Sequence, residues 1–164
     1  RQQTRNPYHL AMKFIGATIG IAILAAYVIG SGLWVNTGDN WYRSLNQPSW
    51  QPPDFIFGII WPYNFIVLGI AAVTIAEKAS RASVVIYLAF FAFSVACALT
   101  WAYQFYRPHN LQLASLALIG TAVLTIPMLI VAFRTSTPIA LALLPYQAWV
   151  AIAASLSYQY SRLN

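Results

Sequence analysis

The chain has 164 residues, of which 60% are hydrophobic and only 7% are charged. An ordinary soluble domain has about 25% charged residues, so this composition excludes a disordered chain and an average soluble enzyme. The net charge of +6 comes from nine Lys and Arg scattered along the sequence, which does not give the clustered basic face of a nucleic-acid-binding module. A lipid bilayer is the solvent that fits. At this length we expect one domain, covering residues 1–164.

Five apolar runs follow one another along the sequence, and each is long enough to cross the hydrocarbon core of a bilayer, which takes about 20 residues. A buried helix of a soluble protein is the alternative for each run, but five nearly uncharged runs in succession favour a membrane. The sequence therefore predicts an all-α membrane protein, a bundle of five transmembrane helices at about 14–35, 54–76, 83–106, 111–133 and 139–160.

All twelve charged residues lie in the linkers, the tails or the ends of the spans. A charge at the bilayer centre would cost about 2.5–3.5 kcal/mol on insertion scales. The lack of a central Asp, Glu, Lys, Arg or His in any span argues against a proton pump, an ion-coupled transporter or a voltage sensor. Six of the nine basic residues lie on the side of the N terminus: Arg1, Arg5, Lys13, Lys78, Arg81 and Arg134. This bias predicts that the N terminus is cytoplasmic. With the five spans, it describes a multi-pass protein in a bacterial or organelle membrane.

The connection 36–53, which we call the lid loop, is the only long one, and long loops in compact bundles are more often functional than passive. Its rings fit an aromatic belt at the membrane interface, but the spacing of its three prolines favours an ordered lid over the bundle. We predict one helical turn at 41–45. We also predict that the second span begins directly after Pro53, since proline suits the start of a helix.

The lid loop also carries a recognisable motif. The segment from Trp41 to Trp61 resembles the translocator protein / tryptophan-rich sensory protein (TspO/MBR) family, which has W-Y-x-x-L-x-x-P-x-W-x-P-P followed by G-x-x-W. The segment 144–156 resembles the P-Y-x-x-W-x-x-x-A-x-x-L part of the family's fifth helix, and 101–106 is similar to its W-S-x-x-F-F. The three matches occur in the right order, and five spans with a long first loop agree with them. The chain departs from the pattern at Ala98 and Ser157, where the family often has Asn, and at Phe65, where Tyr is usual.

The resemblance implies a ligand site beneath the lid loop, and the ring spacing agrees with it. Trp61 and Phe65 are four residues apart and share a helix face, as do Trp101 and Phe105. Walls of this kind suit a large flat ligand, although rings at these positions also pack helices together. We expect the following residues to contact a ligand: Trp41, Trp50, Pro52, Pro53, Trp61, Phe65, Ala98, Trp101, Phe105, Tyr146, Trp149 and Ser157.

Similarity to the family implies that the ligand is a porphyrin-type tetrapyrrole, a haem precursor or, in some members, a sterol, bound by a receptor, sensor or translocator. No obligatory cofactor, metal cluster or conventional catalytic constellation is expected. Light-dependent porphyrin degradation, with Trp41 and Trp61 as candidate photochemical residues, is one alternative. A structural subunit of a larger pigment-linked membrane complex is another. We expect His109 to be a solvated or interfacial histidine, and an axial haem role is the alternative.

Two weaker patterns complete the expectations. Leu156, Tyr158 and Arg162 fit a proposed cholesterol motif, although Tyr and Arg also simply anchor a helix end at an interface. Small residues four apart, at 16 and 20 and at 92 and 96, fit faces that mediate helix association. With the resemblance, they lead us to expect a homodimer, the alternative being packing within one bundle.

Overall fold

The computed structural model describes residues 6–164, and all of its regular elements are helices. In chain order the helices are α1 (Pro7–Trp34), α2 (Asn40–Ser44), α3 (Asp54–Lys78), α4 (Arg81–Tyr106), α5 (Leu111–Thr135) and α6 (Thr137–Leu163). The five long helices are each long and apolar enough to cross a membrane. The prediction of an all-α bundle with five spans is thereby confirmed.

The ends of the helices are set by capping groups, and this explains where the predicted bounds differ. The side chain of Asn6 accepts a hydrogen bond from the Tyr8 N–H, and Pro7 occupies the first turn. The first helix therefore begins seven residues before the predicted start at 14, because hydropathy does not detect a polar cap. Each of the other four long helices begins and ends within three residues of its predicted bounds. Arg1 and Arg5, used in the charge count, lie outside the described residues.

The lid loop contains the predicted helical turn, one residue earlier than expected. Helix α2 spans Asn40–Ser44, and the Asp39 side chain caps it by accepting from the Trp41 N–H at 3.2 Å. Pro53 directly precedes α3, and Asp54 stands in its first turn, where a carboxylate favours the helix dipole.

Helix α1 packs against α3 through small residues. Gly16 and Gly20 are both buried, and a Cβ atom added at Gly20 would lie 2.7 Å from the Cβ atom of Ala72. The small-residue face of α1 therefore serves packing within the bundle. The second such face differs, because Ala92 and Ala96 of α4 are exposed on the outside.

The outer surface is apolar, as a bilayer requires. Large hydrophobic side chains such as Phe55, Ile59 and Phe93 are each 65% exposed. The interior is closely packed around Leu68, Tyr87 and Phe91, whose side chains are completely buried. The helices thus expose apolar side chains on the outside, while the polar side chains of the spans are largely directed inward.

The α1–α3 contact generates a stability prediction. Gly20→Ala should lower the stability of the purified protein in detergent by about 1–3 kcal/mol, because overpacking forces the backbones apart. Gly32→Ala is the matched control, since a Cβ atom there meets nothing within 4 Å. It should raise stability slightly, since Ala is the better helix former. Thermal unfolding of the two variants measures the difference, and equal melting temperatures would contradict the close approach of α1 and α3.

Candidate ligand-binding site

The rings at the lid end of the bundle converge on Phe105, which is 2% exposed. Trp41 of α2 lies 5.7 Å from it between ring centroids, Trp101 of α4 lies 6.0 Å away, and Tyr160 of α6 lies 5.7 Å away. Tyr42 lies within 6.3 Å of the same ring. The lid loop is therefore joined to α4 and α6 through a continuous aromatic cluster, which we call the lid-end cluster.

A second group of rings lies deeper and is centred on Tyr27 of α1. The Tyr27 ring is 6.2 Å from Trp61 and 5.2 Å from Phe65, both on α3. The hydroxyl groups of Tyr27 and Tyr146 form a hydrogen bond of 3.1 Å, which joins α1 to α6. Trp149, one turn further along α6, meets the ring of Phe57 at 5.1 Å. Side chains from α1, α3 and α6 therefore meet in the interior of the bundle.

Several buried polar atoms of the bundle have no hydrogen-bond partner among the described residues. They include the indole Nε1 atoms of Trp101 and Trp149 and the hydroxyl of Ser157, three side chains that the sequence singled out. They also include both amide atoms of Asn64 and the hydroxyl of Tyr87, which sequence reasoning missed. Leaving a buried donor or acceptor unpaired costs about 1–3 kcal/mol. These atoms can therefore pair with polar groups of a bound molecule.

The other predicted site residues fall into two sets. Ala98 and Tyr146 are buried in the core, and Pro52, within the lid loop, is half-buried. Trp50 is 48% exposed and Pro53 is also exposed, so neither is enclosed with the inner rings. Trp50, at the proline-rich end of the lid loop, thus faces outward like a residue of the membrane interface. Trp41 instead points into the lid-end cluster.

Trp41 has an additional partner. Its indole lies flat on the imidazole of His109, with 3.5 Å between ring centroids and 4° between the planes. His109 lies in the turn between α4 and α5 and has φ 60°, a left-handed conformation that is uncommon for a non-glycine residue. The exposed imidazole therefore lies outside the inner rings and fixes the lid loop to that turn.

The end of α6 holds the other side of the lid loop through a reciprocal set of hydrogen bonds. The Asn46 N–H donates to Asn164 Oδ1 at 2.9 Å, and Asn164 Nδ2 donates to the Asn46 carbonyl at 3.1 Å. Asn46 Nδ2 also donates to the Leu163 carbonyl at 3.2 Å, and the Tyr160 hydroxyl donates to Gln51 Oε1. We call these five residues the lid–α6 clamp. The clamp and the rings hold the lid loop down over the end of the bundle.

Comparison with known proteins agrees with this geometry. The family model described as "TspO/MBR family" matches residues 14–163. The chain is 30% identical to the Tryptophan-rich protein TspO of Chlorobaculum tepidum over 148 residues, covering 89% of this chain and 92% of that protein. It is 28% identical to the human Translocator protein over 165 residues, covering 96% and 92% of the two chains.

The Protein CrtK of Rhodobacter capsulatus is 30% identical over 125 residues, covering 76% of this chain and 78% of that protein. The chain belongs to the TspO/MBR family. The resemblance read from the lid loop and the fifth span is thus confirmed, and the chain is a multi-pass integral membrane protein.

The sterol-motif residues of this TspO/MBR protein do not share one face of α6. Leu156 is 5% exposed and faces the core, whereas Tyr158 is 44% exposed. Arg162 donates to the Tyr158 hydroxyl at 3.3 Å and lies over its ring, at 6.0 Å from the centroid. An external sterol would therefore contact Tyr158 and Arg162 without Leu156.

The described part of the chain contains no group of three or more His, Cys, Asp or Glu that could hold a metal ion.

The missed residue Asn64 carries a signal that the sequence does contain. It lies ten residues into the 25-residue helix α3, near its middle. A search for charged residues in the spans passes over an amide, although an amide there must also find a hydrogen-bond partner in the bundle. Tyr27 and Tyr87 are harder to recognise, because Tyr is frequent throughout this sequence.

The lid–α6 clamp generates a second prediction. Asn164→Ala removes two hydrogen bonds to Asn46, each contributing about 0.5–1.5 kcal/mol, so backbone amides of the lid loop should exchange roughly tenfold faster with deuterium. Ser161→Ala is the control, because the Ser161 hydroxyl bonds only to the Tyr158 carbonyl of its own helix. Mass-spectrometric hydrogen exchange on residues 36–53 measures the effect. Unchanged exchange in Asn164→Ala would show that the rings alone hold the lid loop.

Proposed function

We propose that this protein is a membrane receptor or translocator that binds a flat, ring-containing ligand, a porphyrin-type tetrapyrrole, under the lid loop. The relatives carry the names translocator protein and tryptophan-rich sensory protein, which agree with this proposal. The observation on which it rests is the set of buried, unpartnered polar atoms of Trp101, Trp149 and Ser157 among aromatic rings. Two indole donors and one hydroxyl suit a ligand with acceptor atoms on an otherwise apolar ring system.

Entry of such a ligand requires movement of the lid loop. The rings of the lid-end cluster contact one another at centroid distances between 5.7 and 6.3 Å. A planar molecule inserted among them must separate at least one pair, and the stacking lost is regained against the ligand. The lid–α6 clamp would then control how readily the ligand enters and leaves.

The charges at the lid end suit the acidic edge of a porphyrin. Arg43, Arg107 and Arg162 belong to the lid loop and to the ends of α4 and α6. Ionised carboxylates would cost free energy inside the bundle but are tolerated at the membrane surface. The expected orientation therefore places the carboxylates near these arginines and the ring system among the aromatic side chains.

The charge bias bears on the orientation of the whole protein. Lys13, Lys78, Arg81 and Arg134 lie at the end of the bundle opposite the lid loop. We propose that this end faces the cytoplasm, in accordance with the positive-inside rule, and that the lid loop faces the opposite compartment.

The ligand proposal predicts the effect of removing single N–H groups. Trp101→Phe and Trp149→Phe keep an aromatic ring but lose the indole donor, so each should weaken binding of protoporphyrin IX between about twofold and tenfold. Titration of the porphyrin absorption band in nanodiscs measures the dissociation constant.

Trp34→Phe is the matched control for this titration. Its indole packs on Tyr103 at 5.4 Å between ring centroids, outside the inner rings, and its substitution should leave affinity unchanged. Absence of saturable binding to the unmodified protein, or an equal loss in all three variants, would contradict the proposal.

We also propose that the protein forms a homodimer through α4. Ala92 and Ala96 are exposed on this helix, and small outward-facing residues four apart let two helices approach closely. Gly16 and Gly20 of α1, in contrast, pack against α3 within the bundle.

Cysteine crosslinking tests this arrangement. In a Cys97→Ser background, Ala92→Cys should give a disulfide-linked dimer after mild oxidation in the membrane. The control is Leu116→Cys, since Leu116 is 60% exposed but belongs to α5 and not to α4. Crosslinking at both positions would indicate random collision, and crosslinking at neither would reject α4 as the interface. A covalent product with a different protein would instead indicate a larger membrane complex.

A further inference from the structure

A groove runs along the membrane-facing surface between α1 and α3. Its volume is about 580 Å³, and the residues that line it include Ile21, Leu24, Ile66, Gly69, Ile70 and Val73. Gly69 keeps the groove open, because even a Cβ atom there would lie only 3.1 Å from the Leu24 side chain. Ile66 is 63% exposed and Ile70 is 52% exposed, so the walls face the bilayer. Lipid or another membrane segment must therefore fill the groove, since an empty groove would forfeit the van der Waals contacts of its walls.

The walls of the groove suit a hydrocarbon chain. Thr74 is the one polar side chain among the residues that line it. Its hydroxyl donates to the Ile70 carbonyl of the same helix at 2.8 Å, as hydroxyls in helices commonly do. The described side chains of the groove therefore offer no free hydrogen-bonding group to an occupant.

The length of the groove matches one leaflet of a bilayer. On α3 it extends from Phe65, near the middle of the helix, to Thr74. These nine steps of 1.5 Å make about 14 Å. Half of the hydrocarbon core measures about 15 Å. The groove thus extends from the bilayer centre to one interface, as an acyl chain of a single leaflet does.

Both walls of the groove lead to a lysine at its interfacial end. Lys78 lies one helical turn beyond Thr74 on the same face of α3, because residues four apart are neighbours on a helix. Lys13 lies two turns before Ile21 on the same face of α1, with the small residue Ala17 between them. The two ammonium groups therefore stand where the headgroup of a lipid in the groove would lie.

Other charges at this end of the bundle also favour an anion. Arg81 is the first residue of α4, and Val84, one turn further, lies 3.3 Å from where a Cβ atom of Gly16 would be. The start of α4 is therefore close to the start of α1 and to Lys13. Among the described residues, Glu77 is the one acidic side chain at this end. Three cations against one carboxylate attract anionic lipid.

We propose that the groove between α1 and α3 is a binding site for one anionic phospholipid. One acyl chain lies in the groove, and the phosphate group lies among Lys13, Lys78 and Arg81. Lysine stems can lie along the apolar surface while their ammonium groups reach the interface. A second copy of the chain fits this groove less well, because a two-fold axis along the membrane normal would bring like cations together.

Photolabelling of the unmodified protein tests where the chain lies. The probe is phosphatidylglycerol with a diazirine in the middle of one acyl chain, in nanodiscs of phosphatidylcholine. Labelling of residues 21–24 and 66–73 should exceed that of the exposed residues of α5 by about fivefold. An excess of unlabelled phosphatidylglycerol should remove the difference. Even labelling of all five long helices overturns the proposal.

Native mass spectrometry of single lipid adducts tests the headgroup. Lys13→Gln and Lys78→Gln should each weaken phosphatidylglycerol binding about fivefold. Arg134→Gln is the matched control, because Arg134 lies at the same end of the bundle but on α5, which does not line the groove. Equal losses in the three variants would indicate general attraction to a basic surface and would overturn the site. Phosphatidylcholine binding as tight as that of phosphatidylglycerol would do the same.

A groove-filling variant tests the acyl chain by the same measurement. Val73→Trp places an indole where the chain lies, so phosphatidylglycerol binding should weaken about fivefold as packing contacts are lost. Val123→Trp is the control, since Val123 is 57% exposed on α5. Loss of a dimer in Val73→Trp with unchanged lipid binding would show that a second copy fills the groove, and the proposal would be wrong. If Val73→Trp does not fold, the photolabelling and the lysine variants decide.

Discussion

The constraint that governs this structure is that a bilayer supplies no water to polar groups within its hydrocarbon core. Each polar side chain in a span must find a partner in the protein, face a bound molecule or remain unpaired at a cost. Most hydroxyls of the spans meet this constraint by bonding to helix carbonyls, as Ser94 and Thr121 do. The exceptions are buried side chains of α3, α4 and α6: Asn64, Tyr87, Trp101, Trp149 and Ser157. They include the atoms on which the proposed ligand site rests.

The same constraint explains why the lid loop is held by two kinds of contact. Outside the hydrocarbon core, hydrogen bonds compete with water, so the clamp between Asn46 and Asn164 alone would be weak. The ring contacts of Trp41 with Phe105 and His109 add apolar burial to it. A loop fixed by several modest contacts can open without unfolding the bundle, because the five long helices are packed together independently of it. Reversible access is what both a receptor and a translocator need.

Much of the fold follows from the sequence because a bilayer leaves few choices. Twenty apolar residues without a charge must form a spanning helix, and short linkers force antiparallel neighbours, so five spans and their order were predictable. The start of α1 was not, because Asn6 caps the helix by a hydrogen bond that hydropathy does not register. The inward direction of Trp101 and Trp149 was predictable from their spacing with Phe105 and Tyr146. The outward direction of Trp50 was not, because a loop has no periodicity from which to derive it.

The departures from the family pattern become interpretable once Asn64 is considered with Phe65. The family pattern usually has Tyr at position 65, whereas the Phe65 ring of this chain meets Tyr27 edge-on at 5.2 Å and carries no polar group. The neighbouring residue supplies an amide in its place, rotated by about 100° around α3, as consecutive residues of a helix are. This wall of α3 therefore carries a group with both donors and an acceptor where the family pattern has one hydroxyl. On the proposed function, the polar group that α3 offers to a flat molecule differs in kind and in direction from that of the family pattern.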